Sequence, residues 1–253
     1  MSDDAEIVKA VVQGTVEGLI TPFTGLLERL FGFAADEAGL VLGDAVGGMG
    51  AGIRSRMQLR RERFLGRTQC MLNAMQTEAQ QVPLKILIPI IQNASLEEDD
   101  DLQDRWAALL ANNAAGKYLQ TTFSEILRQL ASADAYLLRA CFHEVLATME
   151  KDELNPWSVS VDGAISKWQS ALTKTGPISF PVSELSVENL TRLGLLERND
   201  LAVNMVRQHD KLTKLGYNFA IACENPAEIK PIFAGIADNC HFLFDDFGED
   251  LLS

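Results

Sequence analysis

Five consecutive acids, Glu97 to Asp101, are the densest set of groups in this sequence that could do chemistry. Adjacent carboxylates can hold a divalent cation or share general acid and base work, but either task needs a convergent partner such as a second acidic motif or a histidine. None accompanies them: His143, His209 and His241 are isolated along the chain. Cys70, Cys141, Cys223 and Cys240 are scattered with no CxxC spacing, and the neighbours Cys141/His143 and Cys240/His241 do not make a zinc-ligand set, which argues against a zinc site and against a disulfide scaffold. Walker, GxSxG and HExxH motifs are absent. The residues therefore read as those of a non-enzymatic protein with no cofactor and no metal. The acidic run reads as the first turn of a helix, where the dipole favours negative charge.

The second candidate is cationic. Arg54, Arg56, Arg60, Arg61, Arg63 and Arg67 supply six of the 22 basic residues, opposed locally only by Glu62, in a chain of formal net charge −13. Such a cluster can meet anionic lipid headgroups beside a membrane-seeking segment, or nucleic-acid phosphates. It can also pair with the protein's own excess acids, which ranks first for most of these arginines. The overall charge repels nucleic acid and anionic membranes on average, so any binding by this cluster has to be local.

These groups are carried by a chain that reads as mainly α. Residues 1–80 read as apolar, glycine-rich helices, one with the stripe Phe23, Leu26, Leu27, Leu30, Phe31 and Ala34, followed by a basic helix that runs to about Gln80. In the glycine-rich part Gly39, Gly43 and Gly47 fall four apart, and Gly48 and Gly52 repeat the step. The spacing lets a second helix approach closely, as an oligomer seam or a membrane-inserting hairpin would require; a flexible connection is the plain alternative. No window reaches the ~18 uncharged apolar residues of a spanning helix. The acidic start, Met1-Ser-Asp-Asp, lacks a secretory n-region, so the expected location is cytoplasmic, peripheral at the inner membrane, with a homo-oligomer as the expected assembly.

Residues 81–150 read as a central helical domain. Pro83 starts a helix that Pro89 interrupts, Ser95 with Glu98 matches a capping box, and Trp106 and Asn112 lie on the helix that follows. Residues 151–180 read as a linker with one short helix around Ile165, Trp168 and Leu172. Residues 181–253 read as a winged-helix-like module with an acidic tail: a helix ending near Gly194, a strand Leu195 to Arg198, a possible second strand within LAVNMVRQ, and a closing helix starting near Thr213. Its candidate recognition helix, Val187 to Leu193, offers only Arg192 to a base or phosphate. Nucleic acid is thus a disfavoured partner, and a protein-interaction or structural role is favoured.

The block VPLKILIPIIQNASLEEDDDLQDRWAALLANNA, followed by TTFSEILRQLASADAYLL and then LGLLER and LTKLGYNFAIAC, resembles the abortive-infection alpha family of bacterial proteins between Thr24 and Asn225. The resemblance implies a role in phage defence that stops growth of the infected cell, in response to a phage-derived trigger. It supplies no catalytic residues to carry over.

Overall fold

The computed structural model describes residues 23–32, 51–149, 156–175, 180–198, 210–226 and 229. Among these the chain is mainly helical, with one two-stranded antiparallel sheet. It divides into two compact units, Met1–Arg128 and Gln129–Ser253.

The first unit holds α1 (Thr24–Phe31), α2 (Ala51–Ala74), α3 (Leu84–Leu96), α4 (Asp100–Ala114) and α5 (Thr121–Leu127). Its centre is α4, where twelve of fifteen residues are buried, including Trp106. Alanines at 107, 108, 111 and 114 leave room for α2 and α3 to pack against it. α3 contributes Ile86, Leu87, Ile90, Ile91 and Ala94, each at most 1% exposed. Pro89 sits inside α3 without an amide to donate, and the Asn93 amide donates to the Pro89 carbonyl at 2.8 Å. α1 buries Leu26, Leu27, Leu30 and Phe31, the stripe expected from their spacing, and Val82 N–H donates to the Leu30 carbonyl at 3.0 Å.

Two local expectations are corrected here. The basic helix stops at Ala74, short of Gln80, because Gln76 adopts a left-handed conformation (φ 56°). Gln76 N–H bonds the Asn73 carbonyl and Thr77 N–H the Leu72 carbonyl, the paired bonds of a Schellman ending. α4 and α8 close with the same pair of bonds, but with Gly116 and Gly194 at the left-handed position. The second correction concerns capping: Ser95 does not open a helix with Glu98. Ser95 lies in the last turn of α3, where its hydroxyl donates to the Ile91 carbonyl at 2.6 Å. Asp99 is the cap of α4, accepting from Asp101 N–H at 2.9 Å and Leu102 N–H at 3.0 Å.

The second unit is built on α6 (Ser132–Met149), against which α7 (Asp162–Thr175), α8 (Phe180–Arg192) and α9 (Lys214–Ala222) pack. α6 buries Leu137, Leu138, Cys141, Phe142, Val145, Leu146 and Met149, and the Phe142 and Tyr217 rings meet at 5.5 Å. Burial pushes the Cys141 thiol up to about 12, with Asp210 and Glu144 adding to the rise, so this cysteine stays a protonated packing residue. The short helix expected around Ile165 and Trp168 is α7, with fourteen residues. β1 (Leu196–Glu197) pairs with β2 (Lys211–Leu212) in the register Leu196 to Leu212 and Glu197 to Lys211. The segment LAVNMVRQ lies outside the described residues.

Thr213 caps α9, its hydroxyl accepting from Gly216 N–H at 2.9 Å, while Thr213 N–H donates to the Leu195 carbonyl at 3.1 Å. This draws the first turn of α9 so close to the Leu195 backbone that a Cβ on Gly216 would overlap the Leu195 carbonyl oxygen. Gly216→Ala is therefore expected to cost about 3 kcal/mol in urea unfolding. Gly25→Ala, where an added Cβ meets nothing within 4 Å, should stay within about 1 kcal/mol of wild type. Equal effects at the two positions would refute the close approach. Gln76→Gly should raise stability by about 0.5–1 kcal/mol in the same assay, since it removes a left-handed non-glycine residue from an exposed helix end. A loss of stability there would refute the assigned ending of α2.

Candidate functional site: an arginine face on α2 and the acidic turn beside it

Arg56, Arg60, Arg63 and Arg67 follow one another at steps of four, three and four residues along α2. At 3.6 residues per turn this spacing places all four on one helix face, within about 60° of arc. An adjoining flank of α2, centred about 110° round the helix from the arginines, carries Phe64, Leu65, Met71 and Leu72 into the core beside α4. Packing thus fixes the rotation of the helix, leaving Arg56 and Arg63 exposed and Arg60 and Arg67 at the edge of the core, 22% and 28% exposed. Leu59, which borders that face, is 51% exposed.

The acidic turn between α3 and α4 reaches two of the four arginines. Arg60 pairs with Glu98, and its guanidinium also approaches the Leu96 carbonyl at 3.5 Å. Arg67 binds the Asp100 carboxylate at 2.7 Å, the Asp100 carbonyl at 2.8 Å and the Asp104 carboxylate at 3.0 Å. Arg61 points elsewhere: its Nε donates to the Ser95 hydroxyl at 3.3 Å, and burial lowers its pKa from the ordinary arginine value. Arg56 and Arg63 are exposed and pair with no acid among the described residues.

Self-pairing, the reading ranked first for the cluster, therefore describes Arg60 and Arg67. Of the remaining residues of that set, Arg54 and Gly52 lie in the first turn of α2, and Gly39, Gly43, Gly47 and Gly48 lie outside the described residues. Pro83 immediately precedes α3, and the Asn112 carbonyl accepts from Lys117 N–H at 2.9 Å to close α4. The face itself could have been found in the sequence from the four-three-four spacing, but not its partners, which lie 33 to 38 residues away.

The five acids divide into separate tasks and do not converge on a point. Glu97 folds back to accept from Glu98 N–H at 2.9 Å and Asp99 N–H at 3.0 Å. Glu98 and Asp100 hold arginines, Asp99 caps α4, and Asp101 lies in the first turn of that helix. Asp104, one turn further on, has its pKa raised by burial, an effect opposed by Arg67 and reinforced by Asp101 and Asp100. Among the described residues no cluster of His, Cys, Asp and Glu could hold a metal ion, and no helix is long and apolar enough to cross a membrane. In the second unit Arg192 binds Asn189 at 2.8 Å and Gln129 at 3.2 Å, so its guanidinium serves an internal network.

The side chains of Glu98 and Asp100 are 78% and 75% exposed against 22% and 28% for Arg60 and Arg67, so the ion pairs are solvated on their acid side and weak. An Arg67→Gln and Asp100→Asn double-mutant cycle should return a coupling of about 0.5 kcal/mol at low salt that shrinks at 1 M salt. A coupling above about 2 kcal/mol that resists salt would contradict this geometry.

Residues 55–251 match the family model described as abortive infection alpha, an interval that includes most of α2 and every later helix but leaves out α1. No curated protein and no solved structure matches the chain. The match spans well over half of the 253 residues. The chain belongs to the abortive infection alpha family, and its place is in abortive-infection defence against phage.

Proposed function

We propose that the chain is a non-enzymatic effector of abortive infection that acts peripherally at the cytoplasmic face of the inner membrane. The arginine face of α2 meets anionic headgroups, and the glycine-spaced segment around Gly39, Gly43 and Gly47 packs between copies or into the bilayer. The observation that supports this reading is the alignment of Arg56, Arg60, Arg63 and Arg67 on one helix face, with Arg56 and Arg63 exposed beside the exposed Leu59. A cation near an anionic leaflet contributes about 1 kcal/mol, so a few aligned arginines reach useful affinity. The net charge of −13 does not forbid it, because charges beyond a Debye length of about 8 Å are largely screened at physiological salt. A non-enzymatic mode is favoured because the acidic run, the best candidate for acid and base chemistry, is spent on capping and ion pairs. Nucleic-acid binding through α8 is disfavoured by the engagement of Arg192 with Asn189 and Gln129.

Full-length protein should float with vesicles containing phosphatidylglycerol and not with pure phosphatidylcholine. Arg56→Gln with Arg63→Gln should weaken that binding about tenfold or more, since two headgroup contacts go and neither side chain supports the core. The same pair should relieve growth arrest on overexpression. Full-length protein that ignores anionic vesicles, with a growth arrest indifferent to the double substitution, would sink the proposal.

A further inference from the structure

The acidic turn touches half of the cationic face. We infer that the contact between Glu98, Asp100 and Asp104 on one side and Arg60 and Arg67 on the other is autoinhibitory. The turn is a tethered stand-in for the phosphates of an anionic bilayer, and it holds two of the four arginines off that surface.

Three observations converge on this. The paired and unpaired arginines alternate along one face: Arg56 and Arg63 are exposed, while Arg60 and Arg67 are bound to carboxylates. The acids are open to water, at 78%, 75% and 55% side-chain exposure, and cover guanidiniums that are 22% and 28% exposed, so an external anion reaches Arg60 and Arg67 once the carboxylates swing aside. The carboxylate part of the hold is side chain to side chain, beside the Arg67 bond to the Asp100 carbonyl, and it spans a helix that is also anchored by its apolar flank. Met57, Phe64, Leu65 and Leu72 keep α2 in the core whether or not the guanidiniums are paired, so exchange needs only rotamer changes. Left in place, the carboxylates do more than neutralise: an anionic surface approaching Arg56 and Arg63 meets exposed like charges first, which sets a threshold on surface charge density for engagement.

This inference rests on the membrane reading above, and the experiment separates the two. Full-length Glu98→Gln/Asp100→Asn/Asp104→Asn is compared with wild type for binding to phosphatidylglycerol vesicles. A control, Glu184→Gln/Glu188→Gln/Glu197→Gln, makes the same change in net charge at exposed acids of the second unit. The first variant should bind on the order of tenfold more tightly than wild type and need less phosphatidylglycerol for half-maximal binding, because two cations are released to the surface. The control should move far less, and adding Arg60→Gln/Arg67→Gln to the first variant should cancel its gain. Glu98→Gln alone, which leaves the first turn of α4 intact, should give a smaller gain of about threefold and serves if the triple variant unfolds. Wild type that binds while neither acid variant exceeds it, or a gain equalled by the control, overturns autoinhibition and leaves the membrane reading standing. Vesicles that capture neither wild type nor variants overturn both. A gain confined to RNA or DNA, measured by mobility shift, overturns the lipid assignment.

Discussion

A helix that buries twelve of its fifteen residues has no solvent face left, and the first unit is arranged around satisfying that constraint for α4. Burial on all sides demands small residues where neighbours press closest, which the alanines supply, and large ones where gaps remain, which Trp106, Leu109 and Leu110 fill. Buried polar side chains bond back to the main chain: Asn113 Nδ2 donates to the Leu109 carbonyl at 2.7 Å and Gln103 to the Glu97 carbonyl at 3.0 Å, while Asn113 Oδ1 is buried without a partner among the described residues. The only flank open to water is at the amino end of the helix. There α4 begins in Asp99, Asp100 and Asp101, and α2 passes with its arginines. The electrostatics of the unit are thus a consequence of its packing: the charged turn lies beside α2 because α2 is needed to cover α4.

Like charges about 4 Å apart repel by roughly 4 kcal/mol at an effective dielectric of 20, so a run of five acids is an arrangement that needs offsets. The structure supplies two kinds: backbone amides for Glu97 and Asp99, guanidiniums for Glu98 and Asp100. A dense patch of potential chemistry is dispersed into local structure. Of the four aligned cations opposite it, two remain exposed.

Much of the architecture was legible from periodicity and turn chemistry. The stripe of α1, the buried Trp106, the ending of α8 at Gly194, the strand at Leu196–Glu197 and the start of α9 after Thr213 all lie where apolar spacing, glycine and threonine put them. What was not legible has physical causes. Glutamine carries no signal of a helix end, so the stop at Gln76 was invisible. Ser95 and Asp99 are both good caps, and the choice between them is made by burial: Ala94 and Ser95 are fully buried, which extends α3 through the position the sequence offers as a start. The boundary between compact units falls at Arg128, inside a stretch that reads from sequence as one helical domain. Periodicity shows that two helices are amphipathic but not which core each one joins. Among the candidate residues the arginines were visible as a cluster, and their pairing with the acidic turn needed the fold.

The contact between Gly216 and the Leu195 carbonyl bears on how genetic data on this protein should be read. A screen that scores survival of phage challenge registers any variant that loses its protein, whatever the cause. Gly216 would then stand out as intolerant of substitution and would invite a functional explanation where backbone clearance suffices. Measuring cellular abundance alongside the phenotype would separate positions of this kind, which lower both, from Arg56 and Arg63, whose exposed side chains can be replaced while the protein persists.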